Sequence, residues 1–219
     1  KLTVTVYAGN TIRNEWDIWV FPVSGQFQIA GDVMVSSSLD EAALAKLSGG
    51  GKVLLLPDIR QLKGKPASFQ NHFWCPIMFR WEPLTMGTLV RNEHPAFNDF
   101  KSDLFTNWHW WDIISHSVTL NLEDTPDDFR PLVQSIDTYD RCLKQGIIFE
   151  ARVGNGKLLM AAVDFERDIA NRPAAGQLLT SLRKYVSGGE FNPDKELTAE
   201  TIQAMFKKPT LTAGARVIL

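Results

Sequence analysis

The segment from Gly31 to Pro57 constrains the fold more than any other part of the chain. Val33-Met34-Val35 is a short apolar run, followed after a serine-rich turn by a helical stretch from Leu39 to Leu47. Ser38 is placed to cap that helix, with Asp40 and Glu41 in its first turn, where acidic groups complement the amide dipoles. Gly49-Gly50-Gly51 ends it, and Lys52-Val53-Leu54-Leu55-Leu56-Pro57 is a continuous apolar run of the kind buried on both faces of a sheet. Strand, helix and strand joined by tight loops predict a βαβ unit with a right-handed crossover, and hence a parallel sheet carrying helices. The triple glycine lacks a following Lys-Ser or Lys-Thr and precedes a strand rather than a helix, so it does not read as a phosphate loop.

Around this unit the chain is long enough for one large domain, or for one domain plus a fragment of another, with 44% hydrophobic and 22% charged residues. A net charge of −2 gives no electrostatic basis for nucleic-acid or membrane-surface binding. No stretch reaches the roughly 18 apolar residues of a membrane span. Cys75 and Cys142 have no paired spacing and are expected as free, buried thiols. The start at Lys1, directly in a strand pattern, suggests a piece of a longer protein.

Before the βαβ unit, Lys1 to Tyr7 alternates apolar and polar residues, and Trp16 to Phe21 reads as a second strand after the Gly9-Asn10 turn. Two strands do not stand alone in water. They fit either the closing strands of a β-sandwich or a hairpin packed on the next domain. Later in the chain, Val118–Leu122 and Leu132–Ile136 read as strands. Residues 146–153 and 157–163, joined by Gly154-Asn155-Gly156, carry the clearest hairpin signal. Pro173 opens a helix with apolar residues at Leu178, Leu179, Leu182, Tyr185 and Val186, closed by Gly188-Gly189. One amphipathic segment (Leu197 to Phe206) and a possible strand (Arg216 to Leu219) follow.

Between Asn71 and His116 lie five of the seven tryptophans and all four histidines. Thr106 or Asn107 can cap a helix through Ile114, on which Trp108 and Trp111 share a face and Trp110 lies round from them. Trp108, His109 and Trp110 are therefore candidate ligand contacts, against the plainer reading of a packed aromatic layer. Cys75, wedged between Trp74 and Pro76, cannot form the small-residue nucleophile elbow, although His72 is close in sequence. The histidines have no metal-ligand spacing, and no metal or cofactor is expected. Glu82, Asp112, Asp137, Glu150 and Asp164 sit in or beside apolar stretches, but no spacing singles out a hydrolytic pair. Asp164, ending the strand Ala162-Val163-Asp164, occupies the place where open α/β sheets put ligand-binding groups, and it competes there with a capping role.

Several segments together resemble a known family. Trp16-Asp17-Ile18-Trp19-Val20-Phe21-Pro22 resembles the end of the immunoglobulin-like sandwich of Bacteroidetes-type glycoside hydrolase family 2 proteins. Met86-Gly87-Thr88-Leu89, His94-Pro95-Ala96-Phe97, Asn107-Trp108-His109-Trp110-Trp111, Ile147-Ile148-Phe149-Glu150 and Gly154-Asn155-Gly156-Lys157-Leu158-Leu159 look like the C-terminal domain of such enzymes. That domain is similar to the class I glutamine-amidotransferase (flavodoxin-like) fold. The resemblance implies an α/β doubly wound sheet at 23–189, preceded by remnant sandwich strands at 1–22 and followed by a tail with one short helix at 190–219. It also implies a periplasmic or extracellular accessory domain whose partner is the rest of the hydrolase chain, with carbohydrate as a candidate second partner. The hydrolase carboxylates belong to a (β/α)₈ barrel and have no counterpart here. No histidine opens the His-x-Glu pair of working amidotransferases. Carbohydrate binding through the tryptophans and a Cys75-dependent hydrolase or amidotransferase are the competing expectations.

Overall fold

The computed structural model describes residues 1–22, 27–69, 85–139 and 141–207. His72, Cys75, Glu82 and the expected strand at 216–219 lie outside the described residues.

The chain is mixed α/β, built on an open sheet with few helices. The βαβ expectation is met by β3 (Val33–Ser36), α1 (Glu41–Ser48) and β4 (Lys52–Leu55), with β3 and β4 parallel. The cap of α1 is Asp40 rather than Ser38. Its carboxylate accepts from the Ala43 amide, and the Ser38 hydroxyl in turn donates to Asp40. On the other side of β4 runs β10 (Gly156–Ala161), also parallel to it, and β9 (Lys144–Val153) pairs antiparallel with β10 as the Gly-Asn-Gly hairpin predicts.

The other strand pairings of this sheet are all antiparallel. Along the N-terminal half of β9, one edge takes β8 (Val133–Ile136), which carries β6 (Gly87–Val90). The other edge, just past the end of β10, takes β7 (Val118–Asn121), which pairs with the two-residue β5 (Lys65–Pro66). A bulge at Val133/Gln134 marks the β8 pairing.

Alternation along the central strands divides the core in two. Leu54, Leu159 and Ala161 face α3 (Pro173–Ser187), whose Leu178, Leu182, Tyr185 and Val186 pack on the sheet together with Phe97, Phe100, Trp110 and Ile113. Val53, Leu55, Phe149, Leu158 and Met160 face the opposite way, toward Ala43 and Leu47 of α1. Leu197, Ile202, Met205 and Phe206 complete this second layer, so the segment around α4 (Ala199–Gln203) extends the buried core past Gly189. Helices thus cover both faces of the central strands.

At the N-terminus, β1 (Leu2–Ala8) and β2 (Ile12–Ile18) form a separate two-stranded antiparallel sheet. The second strand ends at Ile18, earlier than its aromatic run suggests. Trp19 leaves it to stack on His109 at 4.2 Å, and Phe21 stacks on Phe100. Cys142 is exposed rather than buried, in a left-handed turn with φ of 52°, and its thiol donates to the Tyr139 carbonyl oxygen. No described helix is long and apolar enough to cross a membrane.

Candidate functional site

The carboxyl ends of β3, β4 and β10 point the same way, and a cleft of about 950 Å³ opens beyond them. Its volume is in the upper range of small-molecule pockets. Open α/β sheets bind ligands in this position because loops after parallel strands converge there while the strands hold them rigid. Ser36 comes from the end of β3 and Ser37 from the β3–α1 loop, Asp58 and Arg60 from the loop after β4, and Asp164 and Glu166 from the segment after β10.

Asp164 therefore reaches the cleft expected from its strand end. It also takes the capping role, since its Oδ1 accepts from the backbone amides of Glu166 and Arg167. No hydrogen bond among the described residues involves its Oδ2. Asp58 caps the next loop through the Arg60 amide and holds the Arg60 guanidinium at 2.8–3.0 Å. The Arg60 side chain and amide keep the Asp58 carboxyl below its usual range. His116, at the end of α2 (Trp111–Ser115), enters the same wall, with its Nδ1 against the Asp112 carbonyl and carboxylate at 2.8 and 3.1 Å.

The wall formed by α3 holds Leu179 and, one turn later, Arg183. The Nε of Arg183 is buried without a partner among the described residues. Its i, i+4 relation to Leu179 was present in the sequence. Its approach to the strand ends was not, because that depends on where α3 crosses the sheet.

A second, shallower cleft of about 430 Å³ lies on the aromatic layer, lined by Trp19, Trp108, His109, Trp111, Asp112 and Arg172 among others. Asn107 caps a 3-10 turn at Trp108–Trp110 that leads into α2, as its sequence position suggests. The face assignment is confirmed for Trp108 and Trp111, which are 63% and 52% exposed. Trp110 goes fully inside, donating its indole N–H to Ser102 Oγ at 2.7 Å, so it has no face open to a ligand. His109 is buried between Trp19 and Phe100, and neither ring nitrogen has a partner among the described residues. Burial lowers its pKa to about 4, so it stays neutral there.

The other carboxylates have structural partners. Glu150 accepts from the Tyr185 hydroxyl at 2.7 Å and lies 3.4 Å from His94 Nε2, while Asp137 binds the Arg141 guanidinium. Burial opposes ionisation of Asp137, yet Arg141 and the amides of Thr138 and Leu143 outweigh it and lower its pKa. Among the described residues, no group of three or more His, Cys, Asp and Glu side chains is arranged to hold a metal ion.

Residues 34–207, which include all but the first residue of β3, the rest of that sheet and every lining residue of the strand-end cleft, match a family described as a domain of unknown function (DUF8487). The chain belongs to that family. The DUF8487 segment begins inside β3 and ends at Lys207 on the cleft rim, leaving the β1–β2 hairpin and Trp19 outside it. No curated protein matches the chain.

Proposed function

We propose that this chain is a non-catalytic accessory domain of a glycoside hydrolase, of the flavodoxin-like, glutamine-amidotransferase-like class, which packs on the rest of the enzyme through its N-terminal hairpin. The observation carrying this reading is the apolar face of that hairpin. Leu2 pairs with Ile18 and Val4 with Trp16 across the strands, and all four side chains are exposed. The opposite face is polar, with Asp17 accepting from Lys1 and Thr3 and Glu15 accepting from Thr5. A two-stranded ribbon with one apolar face and two open edges gains stability by joining a larger β structure. The resemblance of Trp16 to Pro22 to the end of a β-sandwich supplies such a structure in the parent enzyme. The β3–α1–β4 unit and the helices on both sheet faces support the fold class.

The reading frame that encodes residues 1–219 is expected to join them to a hydrolase barrel. Deleting this domain from the parent should lower stability or activity on long glycans while small aryl glycosides are still cleaved. A reading frame without a hydrolase domain overturns the reading.

Carbohydrate binding at the aromatic cleft is the second reading, favoured by the exposed indoles of Trp108 and Trp111 beside the Asp112–Arg172 ion pair. Aromatic faces flanked by hydrogen-bonding groups suit the apolar and hydroxylated sides of a sugar ring. A tryptophan-fluorescence titration across a glycan panel tests it, and no response from any glycan excludes it.

A further inference from the structure

The strand-end cleft is lined by charges of both signs. Four cationic side chains (Arg60, Arg167, Arg183 and Lys207) and three carboxylates (Asp58, Asp164 and Glu166) line it, an excess of one positive charge. Asp58 is committed to Arg60 by a bidentate contact. Arg183 differs from the others. Its Nε is withdrawn from solvent with no partner among the described residues, which holds for no atom of the other three. Only that Nε is shut off; the side chain as a whole is half-buried, so its remaining donors are reachable by an anion in the cleft.

We propose that this cleft binds a small hydroxyl-bearing carboxylate, of sugar-acid size, with the Arg183 guanidinium holding the carboxylate. A planar fork of donors matches a carboxylate in two parallel hydrogen bonds. The three carboxylates already lining the cleft repel a second negative charge, which favours a monoanion over a phosphate dianion. The Asp164 Oδ2, which has no hydrogen bond among the described residues, and the exposed Ser37 side chain also line the cleft and are available to ligand hydroxyls. A cleft of about 950 Å³ has room for a molecule of this size together with water. Val163 and Leu179 supply apolar surface between the polar groups. This inference rests on the cleft alone and stands or falls independently of the accessory-domain reading.

The probes are D-glucuronate, neutral D-glucose and inorganic phosphate, titrated into the isotopically labelled 219-residue chain and followed by amide NMR. Glucuronate should give saturable shifts at Ser37, Asp58 and Glu166. Glucose and phosphate should bind at least tenfold more weakly. Arg183→Gln should weaken glucuronate at least tenfold, whereas Arg152→Gln, a charge-matched change at the far end of β9, should leave it unaltered. If Arg183→Gln does not fold, the map of shifts on the unmodified chain decides alone. Absence of saturable shifts with glucuronate overturns the proposal, as do shifts confined to other surfaces. Equal binding of glucose removes the anion assignment, and preferential binding of phosphate removes the carboxylate.

Discussion

Arg172 donates from Nε to Asp112 Oδ2 at 2.8 Å, tying the start of α3 to the tryptophan-bearing α2. The same guanidinium donates from Nη1 to the carbonyl oxygens of Asp164 and Arg167, at 2.5 and 3.2 Å. One buried arginine therefore fixes the aromatic cleft and the loop that positions Asp164 against each other.

Replacing it should be costly. Arg172→Met leaves Asp112 without its cation and two carbonyl groups without their donor, and should lower stability by about 3 kcal/mol. Asp112→Asn keeps an acceptor and should cost less. Urea midpoints of the two variants and of the double variant measure the coupling.

His109 makes stability depend on pH in a defined window. Its pKa in the folded chain, about 4, lies below the unfolded value near 6.5, so acidification protonates the unfolded state first. Stability should fall as pH drops from about 6.5 to 4, by at most roughly 3 kcal/mol, and this contribution should level off below pH 4. His109→Phe removes two unpartnered nitrogens from the aromatic stack and should flatten that segment of a stability–pH curve.

The tryptophans should separate sharply on truncation. Trp110→Ala empties a fully buried site and should cost about 3–5 kcal/mol. Trp108→Ala, at an exposed position, should cost less than about 1 kcal/mol. Thermal unfolding of the two variants gives the comparison, and equal losses would refute the burial assignment.

Tyr185 and Glu150 form a second buried pair. Burial, then the Glu150 charge and its hydrogen bond, raise the Tyr185 pKa far above the usual phenol range, so its hydroxyl remains a donor at all ordinary pH values. Tyr185→Phe removes that donor from a largely buried carboxylate and should cost about 1–3 kcal/mol in chemical denaturation.

Gly156 offers a test of close packing. A Cβ there would lie 2.6 Å from Leu47 Cα and Leu47 O and 2.7 Å from Gly51 O, all backbone atoms that cannot swing aside. Gly156→Ala should cost about 1–3 kcal/mol or more. Gly189→Ala meets nothing within 4 Å and should be nearly neutral.

Much of the architecture was determined by local sequence. Alternation and apolar runs place the βαβ unit, the β9–β10 hairpin and α3, because strand and helix periods are written in neighbouring residues. Asn107 as a cap and Asp164 at a strand end were legible for the same reason. Gly156 shows the limit. Its turn position was readable, but the approach of Leu47 that excludes a side chain comes from a helix more than a hundred residues earlier.

Tertiary structure alone decided the remainder. Trp108, His109 and Trp110 are all candidate contacts in sequence, yet the packing of Phe100 and Trp19 sends His109 and Trp110 inside and leaves Trp108 in solvent. Ser38 and Asp40 are both good caps, and backbone geometry at the helix start selected Asp40. The strand-end cleft joins residues from Ser36 to Lys207. Its Arg183, whose Nε has no partner among the described residues, becomes significant only once α3 is laid across the sheet, since the burial of that atom is a property of the packed chain.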